Sequence, residues 1–359
     1  MKRSAISLLD RWGAVALARA VQRSRAVVLT YHGVLDGSAE YDYLNHNFIA
    51  AEVFDSQMRY ICRHYRPIAL RELVAAYREG RTPPQGSVVV TFDDGFANNF
   101  SVAFPILRRH SIPFTVFVTT GLLDTPGAML WTERAKRSLF LYPERSVSIE
   151  LDGASATLDL SSPAARADAS KRVVSRLKRL QPDARNRTLD ELERVCGSRP
   201  VQEHERERYQ FLTWAQAREM ASAGVEIGSH TVSHPILTTL DAATLRHELA
   251  ESKRSVETAL GGECVSFAYP NGSPADFGPR EKAALRDCGY ACGLSLNGSL
   301  NNRPDLYEVD RINVGRQLDP PAFHVAMTGI LGAARRTRNR IFGPGTAVPS
   351  AAPETSDGR

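Results

Sequence analysis

The run Val88-Val89-Val90-Thr91-Phe92 lacks the apolar and polar alternation of a strand with one wet face. It predicts a strand covered on both sides, the situation of a parallel sheet flanked by helices. The rest of the chain keeps that rhythm. Val27 to Tyr31, Pro113 to Thr119, Val225 to Ser229 and Val265 to Tyr269 are further short β-rich runs, with one more from Tyr290. Phe54 to His64, Leu70 to Glu79, Asn98 to His110, Thr213 to Ala223, Asp241 to Leu260 and Arg280 to Asp287 have helical apolar spacing. Gly80, Gly224 and Gly261 stop three of them, and Thr213 with Gln216 forms a capping box. The expected fold is α/β, a parallel sheet with helical crossovers, open or closed into a barrel.

The segment 122–210 breaks the rhythm: Val147 to Leu151 and Ala156 to Leu160 flank an Asp152-Gly153 turn, and charged helical stretches follow near 164–180 and 183–196. It reads as an α+β insertion in a main domain of residues 26–332, one that caps or flanks the groove of that domain. Ahead of that domain, residues 4–21 as a helix align Ile6, Leu9, Gly13, Ala16, Leu17 and Ala20, with Arg11 opposite and Arg19 on the flank. Two fates are open for this helix: peripheral contact with an anionic membrane, or packing on the domain. The tail 333–359 is expected to be disordered. Residues 1–25 carry a net +5 and the tail +3, which leaves the body at −3 of the overall +5. The basic excess belongs to the ends and does not argue for nucleic-acid binding. Five scattered cysteines without a CxxC pair read as reduced thiols, and no apolar run is long enough for a signal peptide or a bilayer span. The expected location is the cytoplasm, with the inner-membrane surface as the peripheral alternative. No protein partner is legible.

Chemistry concentrates at two strand ends. Thr91-Phe92-Asp93-Asp94-Gly95 places adjacent carboxylates where mutual repulsion must be compensated by a cation or donors, and the natural division is one ligand and one base. On its own, Asp-Asp-Gly is also an ordinary turn. Gly228-Ser229-His230-Thr231-Val232-Ser233-His234 places two imidazoles four residues apart, a spacing that lets both reach one ion. Two imidazoles and one carboxylate leave positions for water and substrate, as a catalytic metal site requires. Both motifs fall at the carboxyl edge of the sheet, where α/β folds build their sites.

TFDDG, SHTVSH and the later Phe267-Ala268-Tyr269-Pro270-Asn271-Gly272 together resemble the polysaccharide deacetylases of carbohydrate esterase family 4, the NodB-homology domain. Leu29-Thr30-Tyr31-His32-Gly33-Val34 is similar to the exopolysaccharide-synthesis branch of that family. The resemblance covers about 26–121 and 211–315. It implies a distorted (β/α) barrel and metal-dependent removal of N-acetyl groups from an amino-sugar glycan. Position by position it implies Asp93 as general base, Asp94, His230 and His234 as ligands of one divalent ion, and the Asn271 N–H as oxyanion donor. Zinc is the expected ion, with cobalt or nickel as alternatives.

Two positions depart from the family pattern. Ala268 stands where the family carries an Arg that tethers the base. Arg311, in Asp310-Arg311-Ile312-Asn313-Val314, is either its replacement or a surface or salt-bridging residue. No Leu-His motif supplies a general acid, and His32 is the preferred substitute or substrate ligand, against a packed or turn histidine. Tyr269 and Trp131 offer faces for sugar stacking and Phe96 a wall for the acetyl pocket, with core packing the competing fate of all three. The rival readings are deformylation or deacetylation of a lipid-linked sugar, and a catalytically weak glycan-binding protein.

Overall fold

The computed structural model describes residues 14–37, 46–151, 154–197, 201–202, 205–302 and 304–330. Its main sheet is wholly parallel among these residues. In spatial order the strands are Cys292–Leu294, Ser266–Ala268, Glu226–Ser229, Phe114–Val118, Ser87–Phe92, Val27–Tyr31 and Ile312–Asn313, with Arg66–Pro67 pairing alongside Ser87–Phe92. The sheet curls. Val309 bridges Leu294 at one edge, and Ile312 pairs with Leu29 at the other, so a single segment touches both edges. The sheet is thereby a distorted, partly closed barrel, as expected.

The period of two along each strand sorts the side chains. Val88, Val90 and Phe92 join the large cluster that helices Ala51–His64 and Ala242–Leu260 cover, through Phe54, Met58, Ile61 and Leu249. Val89, with Val28, Phe117 and Val309, fills a separate inner cluster. Both faces are therefore buried, as the unbroken apolar run requires.

The insertion carries its own core. Helices Trp131–Leu141, Pro163–Leu177 and Pro182–Cys196 pack with the antiparallel pair Ser146–Leu151 and Ala154–Asp159. Leu139, Leu158, Leu177 and Leu189 are fully buried there, each worth roughly 1.5–3 kcal/mol of burial. Helix Trp131–Leu141 went unread in the sequence. It opens at Leu130 with no side-chain cap, and its buried positions include Glu133 and Arg137, which interrupt the apolar period.

Two other expectations change. Asn98–His110 is not one regular helix: a wide turn, Asn99–Ala103, precedes Phe104–Arg109, and Pro105 in its first turn has no N–H to continue the ladder. Of the terminal helix, Ala14–Val21 is described and residues 4–13 lie outside the described residues, as does the tail. It rests on helix Pro320–Met327. The stripe it turns inward is Val15, Ala18 and Arg19, whereas Ala16, Leu17 and Ala20 of the expected face are exposed. No described helix is long and apolar enough to cross a membrane.

Candidate active site

The alternation that buries Val89 in the inner cluster continues upward to Thr91 and then Asp93. Val309 and Arg311 follow the same parity on the segment opposite. Arg311 is fully buried and donates to both Asp93 oxygens, at 2.6 Å from Nη1 and 2.8 Å from Nη2. It also donates to Thr30 Oγ1 at 2.7 Å and to the Ser295 carbonyl at 3.2 Å. A planar fork matched to a carboxylate fixes the direction of both partners. Of the two readings for Arg311, the surface one fails, and the guanidinium reaches Asp93 from a different strand than the family pattern leads one to expect. Burial by itself would raise the Asp93 pKa; Arg311, then His230, overcomes it and holds the group at about 2.

Asp94 leaves the strand alternation through a left-handed backbone, φ 73°. Its Oδ1 lies 3.6 Å from His230 Nε2 and 3.5 Å from His234 Nε2. The three ligand atoms lie within 4.8 Å of one another, and all three side chains are buried or nearly so. Two donors about 2.1 Å from one tetrahedral ion stand about 3.4 Å apart, close to the separations seen. Asp94 Oδ1 and His234 Nδ1 are buried without hydrogen-bond partners, and His230 Nδ1 is paired at 2.7 Å with the Ala268 carbonyl, which leaves Nε2 as its lone-pair side. Burial, then Asp93, pushes Asp94 well above the usual carboxylate range, while burial lowers both imidazoles. Neutral imidazoles and a carboxylate with an unspent oxygen fit a divalent cation.

The loop that carries the histidines is pinned from three sides. Thr231 and His234 adopt φ 70° and 57°, and the His234 N–H donates to Thr231 Oγ1 at 3.0 Å. Thr120 and Gly121 donate to the carbonyls of Thr231 and Val232 at 3.0 and 2.9 Å. At Gly121 a Cβ would stand 2.7 Å from that Val232 oxygen, so only glycine permits the approach. Glu248 accepts the N–H groups of Val232 and Ser233 at 2.8 and 3.0 Å and the Ser233 hydroxyl at 2.6 Å. Asp94, Thr231, His234 and Asn271 are four of the six described non-glycine residues with positive φ. Backbone strain of this kind, of order 1–3 kcal/mol per residue, collects where geometry is over-determined.

Glu248 was not legible as a site residue, although one signal existed. It lies on the buried stripe of its helix with Leu245, Leu249 and Ser252, where a carboxylate needs a reason to be. Trp131 enters the site differently from the expectation. Its indole N–H donates to the His234 carbonyl at 2.9 Å, Arg185 covers its ring at 4.9 Å, and it is 5% exposed. It supports the backbone of a candidate ligand and offers no face for a sugar. Tyr269 stacks on Phe277 at 4.0 Å and donates its hydroxyl to the Tyr307 carbonyl, and Phe96 is packed between Phe48 and Phe211. Both are core residues, so neither is the sugar platform or open pocket wall expected.

His32 follows strand Val27–Tyr31, partly buried, with its carbonyl accepting from Asn99 and its Nδ1 buried without a partner. Burial lowers its pKa to about 4 even though Asp93 opposes this, and Arg311 and His230 add to the lowering. The insertion adds Glu133, buried and paired with Lys136 at 2.7 Å; both act electrostatically on Asp94.

The sequence profile of the family described as polysaccharide deacetylase matches residues 80–153 and 187–293, half of the chain. This chain belongs to the polysaccharide deacetylase family. The match runs further into the insertion than the motifs suggested, and the stretch it passes over is 154–186. Among curated relatives, YxkH of Bacillus subtilis (strain 168), whose name assigns it provisionally to this family, is 18% identical over 298 residues, 82% of this chain and 74% of that protein. The poly-beta-1,6-N-acetyl-D-glucosamine N-deacetylase of Escherichia coli K12 is 27% identical over 102 residues, 28% of this chain and 15% of that enzyme, so the likeness spans only a small part of its length. Among solved folds, Streptococcus pyogenes deacetylase PplD superposes with a TM-score of 0.56 at 19% identity over 84% of this chain and 98% of its own. IcaB from Ammonifex degensii gives 0.54 at 20%, over 84% and 97%. PplD and IcaB share the fold of this chain.

Proposed function

We propose that the chain is a metal-dependent N-deacetylase of amino sugars in a bacterial polysaccharide or its precursor. The observation that carries this is the pairing, at one sheet edge, of the Asp94-His230-His234 cluster with an Asp93 carboxylate fixed by Arg311. Asp94, His230 and His234 would hold one divalent ion, zinc by preference and cobalt or nickel as alternatives. Such an ion acidifies water and polarises an amide carbonyl. Asp93 accepts the proton of the attacking water, and its low pKa makes it a ready donor once protonated. The Asn271 N–H donates to the developing oxyanion. His32, neutral at pH 7 beside Asp93, relays the proton to the departing amine nitrogen, which leaves as the free amino sugar with acetate as the other product.

The glycan-binding alternative rests on two departures, the missing tethering Arg and the missing Leu-His motif, and the Arg311–Asp93 pair speaks against the first of them. Elemental analysis together with acetate release from N-acetylated oligosaccharides, after chelation and re-addition of zinc, cobalt or nickel, tests the proposal. One ion per chain and metal-dependent acetate support it. Formate in place of acetate, from a formylated sugar, would turn it to the deformylase reading. Asp93→Asn is expected to lower turnover roughly a hundred- to ten-thousand-fold with bound metal unchanged, and wild-type turnover in that variant would remove Asp93 from its role.

A further inference from the structure

Asn271 is held by its side chain from two directions. Lys178, at the end of the insertion helix Pro163–Leu177, donates from Nζ to Asn271 Oδ1 across 93 residues of sequence. On the other side Asn271 Nδ2 donates to Asp276 Oδ2 at 2.5 Å, and the same oxygen accepts the Ser273 N–H at 2.8 Å and the Ser273 hydroxyl. Between these holds, Asn271 has a left-handed backbone, φ 62°, followed by Gly272 at 61°. Among the described residues its N–H meets no acceptor. The loop is tied to the metal cluster three residues earlier, where the Ala268 carbonyl pairs with His230. The peptide plane of a left-handed non-glycine residue stays in place only when its surroundings over-determine it.

We propose that Lys178 is a positioning residue for the oxyanion donor: the insertion reaches over the sheet edge and fixes the Asn271 side chain, and thereby the direction of its N–H. The proposal rests on the deacetylase reading above. Lys178 lies within residues 154–186, which the family profile passes over, so this hold belongs to the chain's own insertion. The Lys178 side chain is partly buried; burial lowers its pKa, and Asp276 opposes that. Without Lys178, Asp276 still holds Nδ2, so the loop keeps its fold but the amide plane gains freedom. Catalysis is sensitive to displacements of this size: a misplacement of about 1 Å can cost on the order of a hundredfold.

The test uses the full chain as Lys178→Met and Lys178→Arg. In Lys178→Met, kcat is expected to fall about 10- to 100-fold with KM within about twofold, and metal content and melting temperature at the wild-type level. Amide hydrogen exchange in the peptide spanning residues 270–276 is expected to quicken, and Lys178→Arg to restore both kcat and slow exchange. Unchanged exchange in Lys178→Met overturns the proposal whether or not the wild type turns over acetate. So does a fall in kcat that metal loss or a lowered melting temperature accounts for, or one that the arginine variant fails to rescue. A wild-type protein that releases no acetate from any glycan would instead defeat the deacetylase reading, and the exchange result would still decide the hold on Asn271.

Discussion

The curled sheet and the insertion build one site by opposite means. The sheet delivers Asp93, Asp94, His230, His234 and Arg311 from strand ends and the loops that leave them, where hydrogen-bonded backbone sets each Cα before any side chain is placed. The insertion delivers Trp131, Glu133, Lys136 and Lys178 from helices packed on a separate core, and each acts through one contact or charge. The main domain thus supplies the candidate reacting groups together with holds of its own, Arg311 and Glu248, and the insertion adds further holds. A strand edge tolerates little substitution because neighbouring ladders share its geometry, whereas a helix face can present a holding group from several positions.

That division predicts a graded response. Arg311→Met, on the sheet side, strands the Asp93 carboxylate in the core and is expected to cost about 3–5 kcal/mol. Its pH signature is distinctive. In the wild type the lowered Asp93 pKa stabilises the fold above the unfolded value of 3.8, and that contribution is lost as pH falls through about 2. In the variant the largest opposition to burial is gone and only His230 and His32 remain, so the folded pKa rises above the unfolded 3.8 and stability should drop as pH rises from 4 to 7. Urea midpoints at the two pH values would show it, and parallel wild-type and variant profiles would break the assignment.

His32→Gln probes the next step down. The folded pKa of His32, about 4 against 6.5 unfolded, gives stability that is complete above pH 6.5 and is lost as pH falls toward 4, in all about 3 kcal/mol. The glutamine variant of the metal-free protein should show a shallower acid limb, by up to one proton, in urea titrations across that window. An identical slope would mean that His32 is not buried neutral.

Trp131→Phe is the mildest and tests the insertion directly. The ring stays, the His234 carbonyl loses its donor, and the expected cost is about 1 kcal/mol of stability with roughly tenfold weaker zinc binding. Competition with a fluorescent chelator measures the latter. Unaltered zinc affinity would make the insertion a cover and not a support.

Much of the sheet side was legible beforehand. A continuous β-rich run ending in DD announces a buried parallel strand, and HxxxH at the end of a second β-rich run announces a candidate ligand pair, because both patterns are local properties of the chain. The insertion's hairpin and two long helices were legible for the same reason. Helix Trp131–Leu141 was not, since Glu133 and Arg137 sit where the period calls for apolar residues; Glu133 pairs locally with Lys136, whereas Arg137 meets Glu205, distant in sequence.

Local pattern therefore determined the fold class, the metal ligands as candidates and the adjacency of Asp93 to them. Tertiary structure decided what long-range contact alone can decide. Arg311 meets Asp93 because the segment Val309–Asn313 touches both sheet edges. Tyr269, Phe96 and Trp131 are packed inside because burying a large ring is worth more than leaving it free for a sugar. Lys178 reaches Asn271 across 93 residues. The physical reason is one of range: backbone periodicity and ligand spacing act over a few residues, while ion pairs, ring packing and burial depend on which surfaces the closed sheet brings together.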